Sequence, residues 1–240
     1  MLDVTNMSCG YGAVLAVDDV TFQVPDGQMV ALLGPNGAGK TSTVMAIAGH
    51  VEMFSGSIAL GGRDLAGTGP AGRTRAGIGL VPEGRRIFGD LTVAENLLVG
   101  SYTRSRAEAR DAEADALALF PRLRERYDQR AGSLSGGEQQ MLAMARALVS
   151  RPSTLLVDEL SLGLMPAVVH QCFEALAALK ERGVSCLVVE QNTEVALRYA
   201  DWVCVLAASK LIHSGPAAEV RGNPGFVETL LGLSVDRAGA

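Results

Sequence analysis

A glycine-rich loop between an apolar run and a helical pattern constrains this chain more than any other feature. Residues 34–41 read GPNGAGKT. The apolar run at 29–33 predicts a short buried strand before the loop, and residues 41–48 continue at helical spacing after it. A loop in this context turns its backbone N–H groups toward a phosphate chain. The pattern therefore predicts a site for a nucleoside triphosphate.

Separate residues of this phosphate loop (residues 34–41) have separable roles. Gly34, Gly37 and Gly39 permit positive φ angles and leave the backbone open. Lys40 is placed to reach the β- and γ-phosphates, and the Thr41 hydroxyl is placed to bind Mg²⁺. The other reading is a glycine-rich turn that precedes a lysine by chance, which the flanking strand and helix disfavour.

Size and composition favour one α/β domain that includes the whole chain, 1–240. The chain has 240 residues, 48% of them hydrophobic, and a mean hydropathy of +0.22, which suits a well-buried parallel sheet. No apolar run approaches the ~20 residues of a membrane helix. Because we also see no basic-then-apolar leader, we expect a cytosolic protein or one held at a membrane by a partner.

Charge and cysteine usage narrow the function classes. The net charge of −5 argues against general nucleic-acid binding, which leaves a basic footprint. Widely spaced cysteines predict reduced, buried residues rather than a metal or redox motif. These cysteines are Cys9, Cys172, Cys186 and Cys204. A local basic cluster is either a solvated loop face or a phosphate or partner contact. Its members are Arg73, Arg75, Arg85 and Arg86.

The order of patterns along the chain predicts layers. Apolar and polar residues alternate at 20–24 and 57–60, which predicts an N-terminal antiparallel β layer. Short apolar runs separated by helical stretches predict a parallel sheet covered on both faces. These runs lie at 78–81, 154–157, 184–189 and 203–206. The segment from about 90 to 150 is rich in Ala, Glu, Arg and Leu. This composition predicts an inserted helical subdomain, with amphipathic helices at 105–120 and 137–149. Residues 234–240 are predicted to form a tail.

Two adjacent carboxylates follow one of the predicted strands. Residues 154–159 read TLLVDE, so Asp158 and Glu159 lie where a parallel strand ends and the chain turns into a crevice. Beside a phosphate loop, Asp158 would bind Mg²⁺ and Glu159 would act as general base toward the attacking water. The other reading is an acidic strand end that faces solvent.

The LSGGE turn (residues 134–138) opens a helix with small residues. Its exposed N–H groups could receive an anion, yet it contains no lysine and forms only half of a phosphate site. A half-site predicts that another group completes it. The other reading, which the spacing alone does not exclude, is an N-cap serine followed by a flexible turn.

Together these motifs resemble the ATP-binding-cassette (ABC) ATPases, from about residue 11 to residue 218. Within that superfamily, VPEGRRIF at 81–88, LSLGLMP at 160–166 and VEQN at 189–192 resemble the LivF-type subunits of branched-chain amino acid importers. The resemblance implies a P-loop NTPase fold with a RecA-like core. It also implies a head-to-tail dimer in which Ser135, Gly136 and Gly137 of one subunit bind the γ-phosphate of the ATP held by Lys40 in the other subunit's phosphate loop.

The resemblance also implies roles for single residues. Tyr11 would stack on adenine, although a tyrosine in a Gly-Tyr-Gly turn is as often structural. The loop at 161–164 would communicate across the dimer. The residues that would hold ATP phosphates and Mg²⁺ are Gly34, Asn36, Gly37, Gly39, Lys40, Thr41 and Ser42.

Three positions depart from the broad superfamily pattern. Glu83 stands where most members have a glutamine near Mg²⁺ and the attacking water. Gln191 replaces the histidine that contacts the γ-phosphate, and its amide can donate a hydrogen bond but cannot become cationic. Both replacements resemble the LivF-type pattern. Leu160 replaces a proline after the catalytic glutamate, so we expect a looser turn and slower or leakier hydrolysis.

The implied function is ATP hydrolysis coupled to solute import through separate membrane permeases, at the cytoplasmic face of the inner membrane. The dimer partner is a second copy or a paralogous cassette. Ile87 and Phe88 are either apolar anchors for a permease or residues packed beneath the helical insertion. Branched-chain amino acids are the implied solute, with urea or short amides as alternatives. A soluble ATP-gated regulator is disfavoured by the acidic balance, and a small-molecule kinase or GTPase would leave the LSGGE turn unexplained.

Overall fold

The computed structural model describes residues 1–221, which form an antiparallel sheet and a largely parallel sheet. The strands are β1 (Leu2–Tyr11), β2 (Val14–Val24), β3 (Met29–Leu33), β4 (Glu52–Leu60), β5 (Arg63–Asp64), β6 (Ile78–Val81), β7 (Thr154–Asp158), β8 (Ser185–Val189), β9 (Trp202–Ala207) and β10 (Lys210–Pro216). The helices are α1 (Lys40–Ile47), α2 (Pro70–Ala76), α3 (Val93–Gly100), α4 (Arg106–Leu119), α5 (Pro121–Glu125), α6 (Gly136–Leu148), α7 (Pro166–Glu181), α8 (Thr193–Tyr199) and α9 (Ala217–Arg221).

The parallel sheet has the strand order β10-β9-β3-β8-β7-β6. Strands β9, β3, β8, β7 and β6 pair in parallel, and β10 is antiparallel at one edge. Alternate residues enter opposite cores: Leu155 and Val157 lie in one apolar cluster, and Leu156 lies in the other. Because parallel strands end at the same side of a sheet, the loops after β3, β6, β7 and β8 converge there.

The antiparallel sheet has the order β2-β1-β4-β5. Along β2, Val20, Phe22 and Val24 are buried while Thr21 and Gln23 between them are exposed. The buried side packs in one core with residues of α1 and of the parallel sheet. This sheet is the predicted N-terminal β layer, and its alternation identified it in the sequence.

A run of helices, α3 to α6, lies between β6 and β7. Three of these helices begin with a capping box, at Thr92, Ser105 and Ser135, in which a serine or threonine and a glutamate three residues later satisfy each other's backbone N–H groups. The caps explain why α4 and α6 each begin or end one residue away from the predicted boundaries. Ser105 is the N-cap of α4, and Phe120 is its C-cap.

The predicted fold class is confirmed, with its parallel core, antiparallel layer and inserted helices. The four cysteines are buried and free, as predicted. The division into a single domain with a subdomain at about 90–150 stays a prediction, and the predicted tail at 234–240 lies outside the described residues. In the part of the chain that the structure describes, every helix is too short or too polar to cross a membrane.

Candidate nucleotide site

The phosphate loop joins β3 directly to α1. Gly39 is the N-cap of α1 with a φ of 101°, and a Cβ atom there would lie 2.6 Å from the carbonyl oxygen of Ala16. Only glycine fits this position, because both the left-handed angle and the contact with β2 exclude a side chain. The close approach holds the loop against β2 and leaves the first N–H groups of α1 free to face a phosphate group.

Lys40 is folded beneath this loop. Its side chain is 5% exposed, and Nζ donates to the carbonyl oxygens of Gly34 at 2.8 Å and Pro35 at 3.0 Å. Burial lowers the pKa of Lys40, while the charges of Glu159 and Asp158 oppose that change. The ammonium group is therefore held by the loop itself, close to the carboxylates at the end of β7.

Thr41 and Asp158 are brought together by the convergence of α1 and β7. Thr41 Oγ1 donates to Asp158 Oδ1 at 3.1 Å, and Asp158 is fully buried. Its second oxygen, Oδ2, has no hydrogen-bond partner among the described residues. Burial raises the pKa of Asp158, the hydrogen bond from Thr41 and the charge of Lys40 lower it, and the charges of Glu159 and Glu83 raise it, so that it lies at about 6. A buried carboxylate oxygen without a donor, beside a hydroxyl group, suits a hard cation.

These residues fit Mg²⁺ in the form in which nucleotide enzymes bind it. Within residues 1–221 no group of three or more His, Cys, Asp or Glu side chains has the arrangement of a protein-only metal site. Mg²⁺ in nucleotide enzymes keeps several waters and needs one or two protein oxygens together with phosphate oxygens. Thr41 and Asp158 offer that number, and the charge of Glu83 acts on the same carboxylate. Glu83 itself is exposed in the loop after β6.

Glu159 and Gln191 meet across neighbouring strands. Gln191 Nε2 donates to Glu159 Oε1 at 2.7 Å, and the backbone N–H of Glu159 donates to the carbonyl of Val189 at 3.0 Å. Glu159 has a φ of 49°, in the left-handed region that non-glycine residues rarely adopt. Leu160 is fully buried, so its packing anchors the turn where a proline would fix φ. The effect of Leu160 on hydrolysis rate stays a prediction.

A cavity of about 350 Å³ lies beside the phosphate loop. Its lining residues are Val14, Leu15, Ala16, Asn36, Gly37, Gly39, Lys40, Thr41, Ser42, Glu159 and Ser209. Tyr11 is not among them and is 55% exposed at the end of β1, so its stacking on adenine stays a prediction. Val14 and Leu15, which no sequence motif pointed to, are exposed and offer the cavity an apolar wall. Their position shortly after the Gly-Tyr-Gly turn was the available signal.

The LSGGE turn lies apart from this cavity. Ser135 is the N-cap of α6: its hydroxyl accepts from Glu138 N at 3.3 Å, and Glu138 Oε2 accepts from Ser135 N at 2.8 Å. The N-cap reading of the turn is therefore correct, and it leaves the N–H groups of Gly136 and Gly137 in the first turn of α6. Arg85 donates to Gln139 at 3.2 Å, and its guanidinium group covers Gly136.

The basic cluster divides into buried and surface members. Arg73 is 5% exposed and donates to the carbonyls of Ile47 and Thr68, so it holds α2 against the end of α1. Arg86 accepts a hydrogen bond from Arg146 at its carbonyl, and Arg75 is exposed. Neither proposed reading describes Arg73, because its long side chain satisfies buried backbone groups.

Glu190 is a second residue that the motifs did not single out. It is 1% exposed at the end of β8, and its carboxylate accepts from Ser161 N at 2.9 Å and Ser161 Oγ at 2.6 Å. The only signal in the sequence was an acidic residue directly after an apolar strand, within VEQN. A buried carboxylate that binds another loop is visible only once β7 and β8 are paired.

Replacing Asp158 with asparagine should stabilise the metal-free, nucleotide-free protein at neutral pH. A folded-state pKa of about 6 lies above the ordinary 3.8, so the folded protein loses stability as pH rises from about 4 to about 6. Above about pH 6 the ionised carboxylate lowers the free energy of unfolding by its full amount, no more than about 3 kcal/mol. Thermal unfolding should show Asp158→Asn more stable than wild type at pH 7.5, by up to about 10 °C, with a smaller difference at pH 4.5.

The exposed Asp111 provides the matched control for this prediction. Asp111→Asn should leave the melting temperature within about a degree of wild type at both pH values. An Asp158→Asn variant that is equally or less stable than wild type at pH 7.5 would contradict the assignment of a buried, uncompensated charge.

Comparison with known proteins agrees with this arrangement. A sequence model of the ABC transporter family matches residues 17–161. The chain is 43% identical to the high-affinity branched-chain amino acid transport ATP-binding protein BraG of Pseudomonas aeruginosa, over 97% of this chain and 100% of that protein. It is 34% identical to the probable branched-chain amino acid transport ATP-binding protein LivF of Archaeoglobus fulgidus, over 97% and 99%. A crystal structure of a nucleotide-free ATP-binding cassette from an ABC transporter superposes with a TM-score of 0.84 at 26% identity, covering 95% and 97%.

Proposed function

Because this chain belongs to the ABC transporter family, whose cassettes bind and hydrolyse ATP, we propose that it energises the import of branched-chain amino acids. Two similar proteins that match almost from end to end are described as branched-chain amino acid transport ATP-binding proteins. Urea and short amides are the alternative solutes. The permeases that carry the solute would be separate chains.

The hydrolytic role rests on one observation, the hydrogen bond between Gln191 and Glu159 beside the phosphate loop. Glu159 would accept a proton from the attacking water, and Gln191 would hold the carboxylate in position while its amide faces the γ-phosphate. Lys40 would bind the β- and γ-phosphate oxygens by moving from the carbonyls of the loop. When bound, Mg²⁺ would neutralise phosphate charge, held by Thr41 and Asp158 with Glu83 nearby.

The nucleotide cavity needs a second cassette to close it. Its wall consists of β2, the phosphate loop and Glu159, and the LSGGE turn does not reach it. The N–H groups of Gly136 and Gly137, at the first turn of α6, form a surface for an anion that this chain does not itself supply. A head-to-tail partner, either a second copy or a paralogue, would receive the γ-phosphate there.

A permease would bind the exposed apolar side of the helical insertion. Leu98 in the last turn of α3 is 67% exposed, Tyr102 just after this helix is 61% exposed, and Phe88 in the loop after β6 is 48% exposed. Ile87, in contrast, packs against the core, which agrees with the second reading of this pair. The role of Phe88 as an anchor stays a proposal. Binding to permeases would place the protein peripherally at the cytoplasmic face of the inner membrane.

Capture from native membranes tests this proposal. Tagged protein recovered from detergent-solubilised membranes should carry a permease and a second cassette. Leu98→Asp should reduce recovery of the permease at least tenfold, because it introduces a charge into an apolar contact. Ile212→Asp is the matched control, since Ile212 is also exposed but lies on β10 at the opposite edge of the parallel sheet.

The recovered complex also identifies the solute. In proteoliposomes with the external binding protein, ATP turnover should rise with leucine, isoleucine or valine and not with urea or acetamide. Stimulation by urea alone would replace the proposed solute. Recovery of a soluble assembly without any permease would overturn the transport role.

A further inference from the structure

Glu190 is a buried carboxylate that is not among the residues given a role in hydrolysis above. It follows β8, one residue before Gln191, and is 1% exposed. A buried carboxylate destabilises a protein unless hydrogen bonds or charges compensate for lost solvation. Its contacts therefore show what it holds in place.

The contacts of Glu190 connect two loops. Oε1 accepts from Ser161 N at 2.9 Å and Oε2 accepts from Ser161 Oγ at 2.6 Å, so both oxygens bind one residue of the loop after β7. Burial raises the pKa of Glu190, while the hydroxyl and N–H groups of Ser161 and the backbone N–H groups of Asn192 and Gln191 oppose that change. Hydrogen bonds to a charged acceptor are short and roughly twice as strong as neutral ones.

These two loops carry the residues that meet at Glu159. Ser161 follows Glu159 by two residues, and Gln191 Nε2 donates to Glu159 Oε1 at 2.7 Å. Glu159 has a φ of 49°, a conformation that persists in a non-glycine residue only when its surroundings enforce it. The Glu190 carboxylate binds the chain on the C-terminal side of Glu159 and the loop that holds its side chain.

We propose that Glu190 is a positioning residue, which joins the Ser161 turn to the Gln191 loop so that Glu159 and the loop at 161–164 move as one unit. This inference rests on the proposed function. Leu162 in that loop is 56% exposed, so the unit links the general base to the surface that would face the second cassette. Release of the carboxylate would let Glu159 leave its strained conformation while the phosphate loop stays intact.

Glu190→Gln tests the proposal with almost no change in size. The amide keeps its contact with Ser161 Oγ only if that hydroxyl accepts instead of donating, and the negative charge that strengthens both contacts is lost. In the assembled transporter we expect kcat for ATP to fall about 10- to 100-fold, because a small displacement of a reacting group has an effect of this size. KM and the affinity of the purified subunit for ATP should stay within about twofold of wild type.

Ser161→Ala provides a second variant on the surface side of the same contact. It removes only the hydroxyl donor, so kcat should fall by a smaller factor in the same sense. Glu194→Gln is the matched control, since Glu194 is an exposed glutamate at the start of α8 and should keep wild-type turnover.

A double-mutant cycle with Glu159 separates positioning from general support of the fold. If Glu190 acts through Glu159, Glu190→Gln should change the residual single-turnover rate of Glu159→Gln by less than about twofold. An equal loss in both backgrounds, or a matching loss of ATP affinity, would overturn the proposal in favour of a structural role. So would wild-type kcat in Glu190→Gln. Loss of activity in Glu159→Gln together with normal activity in Glu190→Gln would refute this inference alone. Full activity in Glu159→Gln would refute the proposed hydrolytic role.

Discussion

Glu159→Gln should nearly abolish ATP turnover and accumulate an ATP-bound dimer. General-base catalysis contributes about 10²- to 10⁴-fold, and an amide cannot accept the proton of the attacking water. The substitution keeps the size of the side chain, and Gln191 can still contact its oxygen at the position where it now donates at 2.7 Å. Steady-state hydrolysis and size-exclusion chromatography with ATP would measure the two effects.

Binding should survive this substitution, because the phosphate loop contacts ATP independently of Glu159. The affinity of Glu159→Gln for ATP should equal that of wild type or exceed it, since loss of a carboxylate beside the γ-phosphate removes repulsion. Glu181→Gln, an exposed change at the end of α7, serves as the control. Unchanged hydrolysis in the purified Glu159→Gln protein would refute the assignment of the base.

Lys40→Ala should act on nucleotide binding itself. Removal of the ammonium group that would bind the phosphates should weaken ATP affinity by roughly 100-fold, equivalent to about 2.7 kcal/mol. The change also leaves the carbonyls of Gly34 and Pro35 without the donor that now binds them at 2.8 and 3.0 Å. Calorimetric titration with ATP would give the affinity, and thermal unfolding would show whether the loop remains folded.

Lys210 is the natural control for this lysine. It forms an exposed ion pair with Asp18 at 3.3 Å, a type of contact that contributes about 0–1 kcal/mol, so Lys210→Ala should leave ATP affinity unchanged. Equal affinities of Lys40→Ala and wild type would contradict the phosphate-loop assignment. The two predictions also differ in kind: the Lys40 change weakens ATP binding, whereas the Glu159 change stops the hydrolysis that follows binding.

The sequence predicted most of the fold because the apolar residues that each strand or helix buries recur with the period of that element. Apolar and polar residues alternate along β2, with Val20 and Phe22 facing inward, which indicates a strand buried on one face. The uninterrupted apolar run of β3 indicates a strand buried on both faces. Helix boundaries were wrong by a residue where a cap decided them, as at Ser105, because a capping residue lies outside the helix it begins.

The site was predicted less completely than the fold. Lys40, Thr41, Asp158 and Glu159 come from short motifs, and the structure brings them within one region. Glu190 and Val14 were not predicted, since their surroundings consist of residues far away in sequence. Arg73 was grouped with surface arginines because charge alone does not reveal a guanidinium group that satisfies buried carbonyls.

By itself the sequence determined which residues can meet a triphosphate, because each motif is local: a glycine loop with its lysine, two carboxylates after a strand, and small residues at a helix start. Only the tertiary structure decided how they are arranged. The pairing of β7 with β8 brings Glu159 to Gln191 and Ser161 to Glu190. The LSGGE turn does not line the cavity beside the phosphate loop of its own chain. The physical reason is that strand order sets which loops share the end of a sheet, and strand order depends on contacts between segments distant along the chain.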